Sequence, residues 1–218
     1  MKERPILFSG PMVRALRDGS KTQTRRGCKP QPIADARFVG GHRLPATKRS
    51  PGQEISVEAP YVHIACPYGQ PGDRLAVRET FYALGRWETR YSAKKGRDEW
   101  HFVDMTLECG RSYAYDTDED TPMIVTRRST VVPLWWRRPA IFMPRAASRI
   151  TLEITSVRVE RLQAITRGDA MSEGCPFPNM AEGDDPRKWY ADLWNDLNGA
   201  GAWDANPWVW AIEFRRLP

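Results

Sequence analysis

The sequence predicts an α+β fold: a mixed β-barrel or rolled sheet with short helices at its mouths and long inserted loops. Three observations lead there. Apolar–polar alternation marks short strands near both ends of the 218-residue chain, and helical periodicity is confined to brief segments between them. The 18 Pro and 16 Gly are spread widely, which breaks the chain into short elements joined by turns. The regular strand–helix alternation of a doubly wound sheet is absent. With 41% hydrophobic residues and nine Trp, the chain can bury a real core as one domain over 1–218.

Taken in order, "RPILFSG" (4–10) reads as a short strand and "PMVRALRDGSK" (11–21) as one or two helical turns. Pro11 suits a first helical position, and Gly19 suits a C-terminal stop. "TQTRR" is extended, and about 27–60 is a long surface loop rich in Pro, Gly and basic residues. "YVHIAC" (61–66) is a strand, "PYGQPGD" is turn chemistry, and "RLAVRETFYAL" (74–84) is one further strand. About 85–147 reads as an insertion, with strands at 101–108 and 122–132 and "PLWWRRPAIFMPR" as a structured aromatic-basic loop.

The C-terminal third is more regular. "SRITLEITSVRVERL" (148–162) alternates as a long strand. Thr166, followed three residues later by Asp169, can cap a helix over "RGDAMSEG". A second helix starts at Asp185-Pro186 and stops at Asn198-Gly199, with Trp189, Leu193 and Leu197 on one face. "NPWVWAIEFRRL" closes as a strand with Trp208, Trp210, Ile212 and Phe214 on one side.

Charge is one-sided. Residues 1–60 hold 12 Lys/Arg against 5 Asp/Glu, whereas the remainder holds 21 against 22, within a total of +6. Such an excess suits an anionic partner, nucleic acid or nucleotide first among them, and equally suits an exposed basic segment. No apolar run approaches the roughly 20 residues of a membrane span, and "MKERPILFSGPM" lacks the apolar centre of a secretory signal. A cytoplasmic protein without a membrane partner is expected. Cys28, Cys66, Cys109 and Cys175 lie far apart with no CxxC, and His42, His63 and His101 are unpaired. Their spacing supports reduced thiols rather than a metal site. P-loop, HExxH and GxSxG motifs are absent.

The stretch "DGSKTQTRR" (18–26) resembles the signature of ASCH domains, small barrels of the PUA-like superfamily, in which the usual pattern is G-x-K-x-x-E-x-R. Gly19, Lys21 and Arg26 match, and Thr24 stands where that pattern has Glu. A bacterial branch, the N4-acetylcytidine amidohydrolases, carries K-T-x-T-x-R, which Lys21, Thr22, Thr24 and Arg26 match. "PGDRLAVRE" is similar to the family's G-D-x-L-x-V strand. "ITRGDAMSEG" is similar to the segment bearing the branch's catalytic Glu, which lands on Glu173, and "WVWAIEFRRL" resembles its last strand. These segments make up a quarter to a third of the chain. About 27–60 and 85–147 would then be insertions, as in long ASCH-type proteins of phages and prophages.

The resemblance implies a modified nucleoside or nucleic acid as partner, amide hydrolysis without metal or organic cofactor, and three catalytic residues: Lys21 as base, Thr24 as nucleophile and Glu173 as acid. Arg26 would bind substrate; apart from the resemblance, Arg145 and Arg149 stand at the entry to a strand, where they either line the same cleft or pair with nearby acids. Amide hydrolysis requires these roles, and a lysine serves as base where burial lowers its pKa from about 10.4 towards 7–8. In a straight strand Lys21 and Thr24 point to opposite faces, so the chain must bend near Gly19 for both to meet one pocket.

Each residue also has a plainer use. Lys21 can complement a helix C-terminus, Thr24 can fill a strand, Glu173 can be solvated, and Glu79 can pair with a neighbouring arginine. The alternative function is a non-catalytic RNA- or DNA-binding module, or an ASCH-type ribonuclease. Arg25, Trp135, Trp136, Arg137 and Arg138 would then meet phosphates and bases.

Overall fold

The computed structural model describes residues 1–31, 43–45, 61–63, 66–125, 128, 130–176 and 185–218. The fold is α+β, mostly strands with a few short helices. Strand β1 (Glu3–Leu7) leads into α1 (Gly10–Asp18), which ends at Gly19 with φ +83°, the left-handed conformation that glycine adopts without strain. β2 (Gln23–Gly27) follows, then the short strands β3 (Arg43–Pro45) and β4 (Tyr61–His63), which pair antiparallel. The rest of the long 27–60 loop lies outside the described residues.

The single strand expected over 74–84 is two, β5 (Arg74–Arg78) and β6 (Phe81–Ser92), separated at Glu79-Thr80. Glu79, at the break, is 1% exposed and held by the half-buried Arg149. β7 (Arg97–Asp104) begins earlier than expected because Gly96, at φ +63°, closes a tight turn back from β6. β8 (Ala114–Tyr115) is brief, and no strand occurs among the described residues of 122–132. The aromatic-basic loop is instead strand β9 (Leu134–Arg138), since its bulky residues fit the edge of β6.

β10 (Thr151–Arg161), α2 (Arg167–Ser172), α3 (Pro186–Asn198) and β11 (Trp208–Arg216) complete the chain. Thr166 and Asp169 form the capping box, each side chain accepting from the other's backbone N–H. The buried residues of α3 are Pro186, Tyr190 and Trp194, four apart; Leu197 is 54% exposed. Trp189 and Leu193 only flank the core, because the helix turns its i, i+4 row one position away from the expected face.

The strands form open sheets rather than a closed barrel. One has the order β1-β5-β10-β11-β2, and in the other β6 pairs with β7, β8 and β9. β11 runs antiparallel to both β10 and β2, with an irregularity in β10 between Ile154 and Ser156. β11 is buried on both faces from Trp208 to Ile212, so its two sides are equally apolar.

The chain divides into two compact units. Unit 1 comprises 1–4, 15–75 and 151–218; unit 2 comprises 5–14 and 76–150. The unit 1 core gathers Leu162, Ile165, Ala170, Tyr190, Trp194 and Val209. In unit 2, Phe81, Ala83, Met143 and Ala147 pack together with Phe102, Tyr113 and Tyr115. Leu162, Ile165, Val209, Phe81 and Met143 each contribute about 1.5–3 kcal/mol by leaving water. Gly85 is required here: a Cβ at that position would lie 2.2 Å from the Val103 carbonyl oxygen and 2.6 Å from the Phe102 ring. Among the described residues no helix is long and apolar enough to cross a membrane.

Candidate functional site

Lys21 lies just beyond α1, where its backbone N–H donates to the Ala15 carbonyl, and it forms an isolated bridge with Glu173. Glu173 is the residue that ends α2, and the neighbouring Thr22 N–H donates to the Ser172 carbonyl at 2.8 Å. Gly174 follows with φ +92°; a Cβ there would lie 2.9 Å from Ala15 Cβ and 3.3 Å from Lys21 Cβ. Glycine therefore lets the α2 exit close on the lysine stem.

Lys21 Nζ donates to Glu173 Oε2 at 2.9 Å and to the Glu173 carbonyl at 2.8 Å. The two side chains are 0% and 2% exposed. Burial pulls the Lys21 ammonium below the usual lysine pKa, Glu173 opposes that shift, and the charges of Arg26 and Arg25 reinforce it. Its pKa is displaced in the direction a general base requires.

Arg25 completes the arrangement. Its guanidinium is 0% exposed and reaches Glu173 Oε1 at 3.2 Å, Asp169 Oδ2 at 3.3 Å, and Glu160 Oε1 through Nε at 3.0 Å. It also lies 5.9 Å from the centroid of the buried Tyr190 ring. Arg158 extends the network to Asp169 at 2.6 Å, Glu160 at 3.0 Å, Glu213, and the Gln23 side-chain oxygen at 3.3 Å. The Gln23 Nε2 donor is buried without a partner, the one orphaned donor of this constellation among the described residues. Desolvation raises the Tyr190 hydroxyl well above its ordinary pKa, with Glu173 adding to it.

Of the residues expected from sequence, Lys21 and Glu173 converge. Thr24 is 2% exposed and sits opposite Ile212 of β11. On β2 it alternates with Arg25, so the two side chains leave opposite faces. No hydrogen bond among the described residues joins Thr24 to Lys21 or Glu173. Arg26, half-buried opposite Trp210, is near enough for its charge to act on Lys21. Arg25, expected on a nucleic-acid surface, is instead sealed inside unit 1, where three carboxylates offset its desolvation.

In unit 2, Arg149 is committed to Glu79 at 3.0 Å and Asp118 at 2.9 Å, and stacks 3.7 Å above the Tyr115 ring centroid. Arg145 is exposed and donates to the Ser148 carbonyl. Arg137 is paired twice with Asp116. Trp136 is 9% exposed and meets Trp87 edge-on, leaving Trp135 half-buried on the other face of β9. Arg138 lines a cavity with Trp87, Trp100, Phe102 and Phe142. Sequence reading missed those aromatics; their signal was the Lys94-Lys95-Gly96 turn, which folds Trp87 onto Phe102 and Thr89 onto Trp100.

Among the described residues no group of three or more His, Cys, Asp or Glu is arranged to hold a metal ion. Cys28, Cys66 and Cys109 are free thiols; Cys109 is exposed and the other two buried, and burial pushes Cys28 up to about 12. No family model, curated protein or solved structure matches the chain.

Proposed function

We propose that the chain is an ASCH-type protein of the PUA-like superfamily that hydrolyses the amide of an N4-acylated cytidine or a related modified nucleoside. The observation that carries this reading is the buried contact of 2.9 Å between Lys21 Nζ and Glu173 Oε2, made by the two residues that the family resemblance assigns to proton transfer. Arg25 stays on Oε1, which leaves Oε2 to exchange with Lys21.

In this mechanism neutral Lys21 accepts the proton of the attacking hydroxyl, and the acyl C–N bond breaks. The hydroxyl oxygen bonds the acyl carbon as the proton passes through Glu173 to the departing exocyclic nitrogen, which frees the amine; water then hydrolyses the resulting ester, giving the carboxylic acid and restoring the hydroxyl. The attacking hydroxyl belongs to Thr24 by resemblance. Arg26, half-buried beside the pair, binds the substrate.

The test is acetate release from N4-acetylcytidine by the wild-type protein, Lys21→Met, Glu173→Gln and Thr24→Ala. Loss of either proton-transfer residue should lower kcat about 100- to 10,000-fold. Activity retained in Thr24→Ala assigns the attack to water. Wild-type turnover no faster than that of Lys21→Met removes the hydrolase reading.

A further inference from the structure

The aromatic cavity of unit 2 has no part in that chemistry, and its composition is specific. β6, β7 and β9 place Trp87, Phe102, Trp100 and Arg138 on one face, because directly paired residues share a face. Phe142, from the turn after β9, adds a further wall, and the cavity measures about 420 Å³. Small-molecule sites run to roughly 300–1,000 Å³. Trp100 and Phe142 are 46% and 61% exposed, so two of the ring walls face solvent.

The polar groups identify the occupant. The Arg138 guanidinium lies 4.4 Å from the Phe102 centroid, 4.9 Å from Phe142 and 5.2 Å from Trp87. Arg128 lies over Trp87 and Trp100 at 5.1 and 5.4 Å. Each of these rings already has a guanidinium on one side, so a cationic ligand meets repulsion. Among the described residues no carboxylate is in ion-pair contact with Arg138, and burial lowers its pKa against a weaker opposing effect of Asp104. Asp104 is itself engaged, with Oδ1 accepting from Thr106 and Oδ2 from the Tyr113 hydroxyl. The Trp87 Nε1 donor is buried without a partner. A half-buried guanidinium in no ion pair among the described residues, beside exposed flat rings, calls for a planar ligand that carries negative charge.

We infer that this cavity is a base-stacking pocket for single-stranded nucleic acid, in which Trp100 and Phe142 hold a base and Arg138 meets the adjoining phosphate. A duplex keeps its bases stacked on one another and cannot enter. The inference is independent of the hydrolase reading, and its test uses no acylated nucleoside.

The experiment is fluorescence anisotropy of labelled oligo(U) and oligo(dT) of about 12 nucleotides, against the same strands as duplexes, UMP, and tetramethylammonium as competitor. Trp100→Ala and Phe142→Ala should each weaken single-strand binding about 5- to 100-fold. Trp100→Phe, which keeps a ring, should stay within about 3-fold of wild type, so a loss through misfolding is distinguishable from a loss of stacking. Arg138→Gln should weaken binding and reduce the salt slope by about 1. Tyr91→Ala, an exposed aromatic of β6 outside the cavity, should leave affinity unchanged. Wild-type affinity in both alanine variants, equal binding of duplex or UMP, or displacement by tetramethylammonium would each overturn the assignment.

Discussion

Glu173 uses its two carboxylate oxygens on two different cations, Oε2 on Lys21 at 2.9 Å and Oε1 on Arg25 at 3.2 Å. The relationship is asymmetric. Arg25 has Glu160 and Asp169 besides, whereas Lys21 has only Glu173 among these carboxylates. Because all three side chains are at most 2% exposed, water cannot substitute for a lost partner.

That asymmetry orders two substitutions. Glu173→Gln strips the carboxylate from both cations and should cost about 3–5 kcal/mol in urea unfolding. Lys21→Met leaves Glu173 paired with Arg25 and should cost less, about 1–3 kcal/mol. Equal losses in the two variants would show that Arg25 takes no stabilisation from Glu173.

How far this was legible in the sequence depends on distance along the chain. The Thr166–Asp169 capping box was readable because both partners sit within one helical turn. The Lys21–Glu173 meeting spans 152 positions, and only the family resemblance pointed to it. The choice of Arg25 over Arg26 was not readable. β2 is buried at Gln23, Thr24 and Arg25 alike, so alternation defines two faces without saying which one holds the carboxylates. The cavity of unit 2 was hidden in "RWETRYSAKKGRDEW", whose charges mask an aromatic face that appears only once the hairpin register is set.

The pH dependence follows from Lys21. Its pKa in the folded protein is below the ordinary 10.5, with burial as the largest cause. Between the two values the unfolded chain carries a proton that the folded chain lacks, so this residue makes stability rise with pH. Wild-type unfolding free energy should therefore climb more steeply than that of Lys21→Met up to about pH 9.5, below the range where buried tyrosines titrate. In the hydrolase assay the same group should give a rising basic limb, lost in Lys21→Met. Identical pH slopes in the two proteins would mean that Lys21 keeps an ordinary pKa.

Gly174 carries two separate constraints. Alanine there must hold φ +92° and bring its Cβ within 2.9 Å of Ala15 Cβ. Backbone strain alone costs about 1–3 kcal/mol. Gly174→Ala should lower the thermal midpoint, and adding Ala15→Gly should recover only part of the loss, since it removes the contact and leaves the strain. Full recovery would locate the whole effect in the contact.

Asp169 joins the helix cap to the ion network: its side chain accepts from the Thr166 N–H and hydroxyl and also meets Arg158 at 2.6 Å and Arg25 at 3.3 Å. Burial pushes its carboxyl pKa upward, but the Thr166 hydrogen bonds and the charges of Arg25 and Arg158 together hold it below 3.8. A depressed carboxyl stabilises the fold above the unfolded value and loses that contribution as pH falls through the folded one. Asp169→Asn should therefore cost about 1–3 kcal/mol at neutral pH, and its deficit should shrink as the pH falls below the ordinary carboxyl value of 3.8. Acid titration of both proteins by far-UV circular dichroism measures this. A deficit independent of pH would place the role of Asp169 in helix geometry rather than in charge.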